Sequence, residues 1–448
     1  VISVIYSATT SGTVQQRLGV ADYSYYFVLK EFSPVLETFG PVIVVADPAE
    51  VDPIYRASRA RGEECIFFSF TPPHEITLGL DCPTIPIVAW EIDEIPTETW
   101  YGERKQDWRY VFDKVGRAIT LSTDSAQVVR AAMGADFPVV SIPAPVWDRF
   151  ASKPARQSGP VVPAGTQLDI GGTVIDSRTI DLSTFAPDKT PPVFPYGSAS
   201  QTRISLDGVT YLSVFNPADG RKNWRDFIAG FCCSFRDTPD ATLILKLAHH
   251  GSEEFLTPIL EWLYKLTPFR CRLLMLLGFL EEEQYERLVG LTSYVVNSSH
   301  GEGQCLPLME GMARGKPAIA PSHTAMSDYI DTPQAFVVRS SAEPATWPQD
   351  VRAAFRALRQ RIDLGSLVEA YRQSYAVAKN DPARYARMSE NAREAMRQQA
   401  SIAVARARLE ALIKTPARPA GPDGRYGQVT PRPHSPRTAN AAEASKVL

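Results

Sequence analysis

The sequence has almost no excess of charge of either sign: 47 Lys and Arg stand against 50 Asp and Glu, a formal net charge of −3 at pH 7. Without a global basic field a dedicated nucleic-acid binder is not expected, and any polyanion must be met by a local patch. Cysteines are few and scattered, at Cys65, Cys82, Cys232, Cys233, Cys271 and Cys305. They form no CxxC pair and no His/Cys cluster at zinc-finger spacing, which points away from structural zinc and toward reduced core thiols. Long hydrophobic runs are missing too. No stretch of about eighteen apolar residues is present to cross a bilayer, and the run Val1-Ile-Ser-Val-Ile-Tyr6 looks like a strand, not a basic and apolar leader. The expectation is a soluble, cytoplasmic protein.

What is present is enough apolar material for two cores. A chain of 448 residues with 44% hydrophobic side chains exceeds what one ordinary core accommodates. Short β-rich runs at 2–6, 42–46, 65–70, 85–90, 118–121 and 139–143 alternate with helical patterns. Strands that are apolar throughout, separated by helices, imply a parallel sheet covered on both faces. Residues 150–203 break this rhythm with Pro, Gly and Ser, and contain a possible hairpin around Gly171. The alternation resumes at 210–215, 242–247, 272–277, 294–296 and 318–320. Helical patterns follow at 351–362, 367–379 and 382–414, the last opened by Asp381-Pro382 as cap and first helical residue. The predicted fold class is therefore α/β, with two doubly wound, Rossmann-like domains. The predicted boundaries are 1–149 for the first domain, 150–203 for an insertion or linker, 204–379 for the second domain, 380–414 for a crossover helix and 415–448 for a disordered tail. No internal repeat of 20 to 50 residues accompanies the duplicated architecture.

The segment Asn297-Ser-Ser-His-Gly-Glu-Gly-Gln-Cys-Leu-Pro-Leu-Met-Glu310 joins a strand to a helix through a polar loop, and Gly315 and Pro317 end that helix. In an open parallel sheet, ligands sit where strand carboxyl ends meet helix N-termini, so the free amides of residues 303–306 suit an anion such as a diphosphate. Glu310, about one turn inside the helix, is placed to take a vicinal diol in bidentate fashion. Glu302 lies on the loop, toward whatever is attached beyond the diphosphate.

Glu302-Gly-Gln-Cys-Leu-Pro-Leu-Met-Glu310, followed by Gly311-Met-Ala-Arg-Gly-Lys-Pro317, resembles the Glu-x7-Glu signature of retaining GT-B glycosyltransferases of family 4. The resemblance implies a GT-B fold, with Glu310 on the ribose of a sugar nucleotide and Glu302 and Gly303 on the donor sugar. Gln304 stands where the family usually carries an aromatic residue, and Cys305 and Leu306 complete the donor loop. Val214-Phe-Asn-Pro-Ala-Asp-Gly-Arg-Lys-Asn-Trp224 is similar to the family's diphosphate-gripping segment, which makes Lys222 the first choice of cation and Arg221 the second. The family's separate arginine a few positions earlier has no counterpart. Lys246 is a further donor-side candidate, or a side chain that simply snorkels. Met388-Ser-Glu-Asn-Ala-Arg-Glu394 resembles the family's late helix that braces the first domain, and the segment around Trp90 resembles one in bacterial polysaccharide- and lipopolysaccharide-assembling members.

Other candidates carry two readings each. His74 is placed to touch acceptor or reacting sugar, or is a solvated loop residue. Glu91 and Asp93 are acceptor-side acids or caps of a turn. Gly12 brings backbone amides to the diphosphate or marks a plain turn. His249 and His250 lack a third ligand at metal spacing, no DxD run occurs, and family members normally work without metal, so no metal and no cofactor is expected. The Arg-rich run at 384–408 braces the domains or rests peripherally on the inner face of a membrane. The implied activity is transfer of a hexose from a nucleotide-diphosphate sugar, as co-substrate, to a saccharide or lipid-linked acceptor. The alternatives are a catalytically idle nucleotide- or glycan-binding paralogue and, against the Glu-x7-Glu resemblance, a sugar-nucleotide epimerase.

Overall fold

The computed structural model describes residues 1–20, 22–151, 159–192 and 201–421. Its first sheet takes β1 (Ile2–Tyr6), β2 (Val42–Val44), β3 (Cys65–Ser69), β4 (Thr84–Val88), β5 (Ala118–Thr120) and β6 (Val139–Ser141). The order is β2-β1-β3-β4-β5-β6, parallel throughout. β1 and β3 are apolar on both faces because helices cover both: Ile5 and Phe68 join one core cluster, Val4 and Phe67 another. The order reverses between β1 and β3, which puts the loops carrying Gly12 and His74 side by side at a switch point.

The second sheet is built from β7 (Val162–Gly171), β8 (Thr173–Asp176), β9 (Gln201–Phe215), β10 (Ala241–Leu247), β11 (Arg272–Leu277), β12 (Tyr294–Val296), β13 (Ala318–Pro321) and β14 (Ala335–Val338). Its parallel part reads β11-β10-β9-β12-β13-β14, the dinucleotide-fold order, so the switch point lies between β9 and β12. The two segments that follow these strands are those of Lys222 and Glu302. Both sheets are thus doubly wound, and the α/β, two-domain GT-B architecture expected from the sequence is the one observed.

Three local expectations differ. The strands around Gly171 do not pair with each other: β7 runs antiparallel to the first half of β9, and β8 antiparallel to β11 at the sheet edge. Residues 351–362, expected as helix, instead contain β16 (Phe355–Ile362), paired antiparallel with β15 (Ser340–Thr346). Tertiary bonds override propensity there, since the Leu358 amide donates to Asp93 at 2.7 Å and the Gln360 amide to the His300 carbonyl at 2.9 Å. The late helix is two helices, Pro382–Gln399 and Ile402–Lys414, the second capped by the Ser401 hydroxyl.

Pro382–Gln399 lies on Leu306–Ala313, with Met396 and Ala392 sharing a core with Met309 and Met312. Ile402–Lys414 then crosses to the first domain and buries Ala405, Leu409 and Leu412 with Phe32 and Val35. Of the stretch expected to be a disordered tail, residues 415–421 are tied down: the Arg418 amide donates to the Gly116 carbonyl and the Gly421 amide to Asp113. Residues 422–448 lie outside the described residues. No helix among the described residues is long and apolar enough to cross a membrane.

Candidate functional site

A cleft of about 1110 Å³ runs between the two sheets' carboxyl ends. It is lined by His74, Glu91, Arg221, Lys222, Lys246, Glu302, Gly303, Gln304, Cys305, Leu306 and Glu310, which brings together most of the residues singled out in the sequence. Gly12 and Asp93 are not among its lining residues. Gly12 is exposed on the loop after β1, and Asp93 accepts the Leu358 amide and so holds β16 against the first domain.

At the centre, Lys222 Nζ lies 2.8 Å from both oxygens of Glu302. Arg221 approaches the same carboxylate at 3.3 Å, donates to the Gly301 carbonyl at 2.7 Å, and pairs with Asp219 at 2.9 Å and Glu91 at 3.2 Å. Glu302 also accepts from Asn297 at 3.0 Å and Ser299 at 2.5 Å and is only 3% exposed. Burial pushes its carboxyl up, but the charges of Lys222 and then Arg221 outweigh that and hold it at about 2. An acid so placed stays ionised and accepts hydrogen bonds; it is no proton donor at neutral pH. Burial pushes the Glu91 carboxyl up as well, and there it prevails over the pull of Arg221. Two cations therefore face three carboxylates, one of them supplied by the opposite domain.

The loop reaches the helix Leu306–Ala313 through Cys305, which adopts a left-handed conformation at φ 68° in place of a side-chain cap. Burial pushes the Cys305 thiol up to about 12, with Glu302 adding to it, so it is no nucleophile. The Gln304 amide nitrogen reaches the Ala144 carbonyl at 3.4 Å, while its oxygen is buried with no hydrogen-bond partner. One turn along, Glu310 is held at both oxygens: Arg149 donates to Oε1 and the Tyr285 hydroxyl to Oε2, each at 2.7 Å. Arg149 also pairs with Glu31 of the first domain at 2.6 Å.

Lys246, at the end of β10, does not snorkel outward. It is 5% exposed, lines the cleft and donates to the carbonyls of Leu247 at 3.0 Å and Gly278 at 2.6 Å. Burial lowers its ammonium to about 8. His74 stacks on Trp108 at 6.2 Å with Nδ1 buried and without a partner, and burial lowers its imidazole, so the ring is neutral at pH 7. His249 and His250 stack on each other in a loop that meets the first domain, where the His250 amide donates to Leu18.

Among the cleft side chains that escaped the sequence reading are Arg149, Tyr285, Asp22 and Glu75. Asp22 adopts a left-handed conformation, and burial, with Glu75 close by, raises its carboxyl to about 7. Only the position of Arg149, next to the expected domain boundary, was visible beforehand. Its partners come from helices more than a hundred residues away on either side.

No protein-family model matches the sequence, and no curated protein matches it. Solved structures do. A glycosyltransferase from Rickettsia africae ESF-5 superposes with a TM-score of 0.53 at 11% identity, covering 93% of this chain and 99% of that one. Sucrose-phosphate synthase from Thermosynechococcus elongatus gives 0.50 at 12% identity, over 92% and 98%. S. aureus TarM gives 0.47 at 10% identity; 78% of this chain matches, and it spans 55% of that one. At such identities the likeness is one of fold: the chain has the GT-B architecture of two Rossmann-like domains facing a cleft.

Proposed function

We propose that the chain is a retaining glycosyltransferase of the Glu-x7-Glu type, moving a hexose from a nucleotide-diphosphate sugar to a saccharide or lipid-linked glycan acceptor. Surface-polysaccharide synthesis is the pathway class the Trp90 segment suggests. The observation that carries the reading is the Lys222–Glu302 pair at the switch point of a dinucleotide-ordered sheet, with a helix N-terminus and a second carboxylate one turn beyond. That arrangement matches a ligand with a diphosphate in the middle, a diol at one end and a sugar at the other.

In this reading Lys222 and Arg221 stabilise charge developing on the leaving diphosphate, the largest electrostatic demand of the reaction. Glu302, permanently ionised, orients the donor's hydroxyls and shifts part of its hold on Lys222 to them. His74 is neutral and lines the cleft on the acceptor side, as does Glu91. Departure and attack on one face of the sugar need no protein nucleophile, and among the described residues the cleft's Cys305 is held as a neutral thiol. The test is turnover: UDP-, GDP- and ADP-hexoses are supplied with oligosaccharide acceptors, and nucleoside diphosphate release and the anomeric configuration of the product are followed. Release with retained configuration, reduced a hundredfold or more in Glu302→Gln at an unchanged fold, is expected. A folded protein that binds a nucleotide but releases none from any donor would instead be a catalytically idle, nucleotide-binding partner subunit.

A further inference from the structure

Glu310 does not stand alone in the cleft. Arg149 bridges it to Glu31, and the three side chains come from three places in the chain: the helix Ser24–Glu37, the short helix Trp147–Ala151 and the helix Leu306–Ala313. Two of the three belong to one body. Val146 and Phe150, flanking Arg149, are buried in the same core as Leu308, Met309 and Met312, so Arg149 travels with Glu310. Glu31 belongs to the first domain, because its neighbours Val28, Phe32 and Val35 pack with Ile66 and Phe68 under the first sheet. The Arg149–Glu310 bond is therefore internal to the second domain, and the Arg149–Glu31 bond closes the cleft.

All three groups are shielded from water, with side chains 18% exposed for Arg149, 9% for Glu31 and 11% for Glu310. A planar guanidinium is the one side chain that can satisfy two carboxylates at once in a fixed geometry. Tyr285 fixes the other oxygen of Glu310, so the plane of that carboxylate is set from both sides. Each oxygen keeps a lone pair for a further donor. A carboxylate held in one plane with both oxygens half-used is prepared for two adjacent hydroxyls; one free to rotate is not.

We propose that Arg149 is a positioning residue for the nucleoside end of the donor site: through Glu31 it makes domain closure set the orientation of Glu310, and so couples closure to recognition of a vicinal diol. This rests on the reading of Glu310 as the ribose carboxylate. Removing Arg149 leaves two buried acids facing each other with the remaining charges, Lys30 and Glu282, at the rim. Like charges so placed repel each other, and a Glu310 that has rotated away from Glu31 no longer grips two hydroxyls.

The experiment is calorimetric binding of UDP, GDP and ADP, each against its 2′-deoxy counterpart, to wild type, Arg149→Met, Glu31→Gln and Glu310→Ala. The wild type is expected to prefer the ribonucleotide by about tenfold or more, the worth of a hydrogen bond to a charged group. Arg149→Met is expected to bring that ratio to within about threefold of unity, as Glu310→Ala does, whereas general loosening of the fold would weaken both forms equally and leave the ratio alone. Glu31→Gln keeps the shape of the bridge and is expected to lower the ratio at least threefold; it decides the matter if Arg149→Met does not fold. A wild type that discriminates together with variants that keep the full ratio would overturn the proposal and leave the ribose reading standing. A wild type without preference would overturn both.

Discussion

Glu302 and Lys246 show how differently two buried charges sit in one cleft. Glu302 is surrounded by two cations and two neutral donors, so its ionised form is the stable one. Lys246 has only carbonyl dipoles, and burial brings its ammonium down to about 8 from the usual 10.5. The sign of the linkage follows: with the folded-state pKa below the unfolded one, the charged lysine costs the fold stability below pH 8, and the cost fades as the pH rises to about 10.5. Lys246→Met is expected to be more stable than wild type at pH 7 by about 1 kcal/mol, after the two lost hydrogen bonds are set against the relieved desolvation. Thermal melts across pH 7–10.5 check this: the wild type gains on the variant as the pH rises, and a constant gap would show that the amine titrates in the fold as it does in the unfolded chain, so that burial does not destabilise its charged form. If Lys246 also serves the donor phosphates, the same variant binds nucleotide more weakly while melting higher. At this scale the sequence revealed Glu302 and Glu310 because they lie in one strand-loop-helix pattern, and Lys222 because the segment after β9 resembles the family's diphosphate-gripping one. Arg149 and Tyr285 went unnoticed because nothing local marks a side chain whose partner lies in a different element of the fold.

Elements carry the approach of the two domains. Gly301 and Gly303 lie against the end of β4, and a Cβ on Gly301 would stand 2.5 Å from the Glu91 carbonyl oxygen. That distance is too short for any side chain, so glycine there is required by the neighbouring backbone and not by its own dihedral angles. Gly301→Ala is expected to push the Glu302 loop from β4, costing the closed form about 1–3 kcal/mol. Nucleotide affinity should fall about tenfold while hydrogen exchange in β10 and β11 stays unchanged; unchanged affinity would mean that binding does not use the closed form. The β15–β16 pair spans the same gap, with Trp347 buried against Trp100 and its indole donating to the Glu94 carbonyl at 3.2 Å. The residues Phe355-Arg-Ala-Leu-Arg-Gln-Arg-Ile362 have helical propensity, and local pattern alone gives helix; the strand exists because the first domain and the His300 loop supply its hydrogen bonds. The β7 and β8 edge was misread for the same reason, as its pairing partners lie in strands that come later in the chain.

For the whole molecule, the strand-helix alternation made both sheets legible, because period and apolar content are local properties that a parallel sheet imposes on its sequence. Closure is not local. It rests on Arg221 with Glu91, Arg149 with Glu31, Lys30 with Glu282 and Asn216 with the Gly19 carbonyl, and none of these pairs is close in sequence. The central claim is that this cleft holds a nucleoside diphosphate with its ribose on Glu310, and calorimetric titration of UDP, GDP and ADP into wild type and Glu310→Ala tests it most directly. The account predicts that one nucleotide binds the wild type selectively and that Glu310→Ala, still folded, loses that binding by tenfold or more. A folded wild type that binds none of the three, or a Glu310→Ala that binds as well as the wild type, would contradict it.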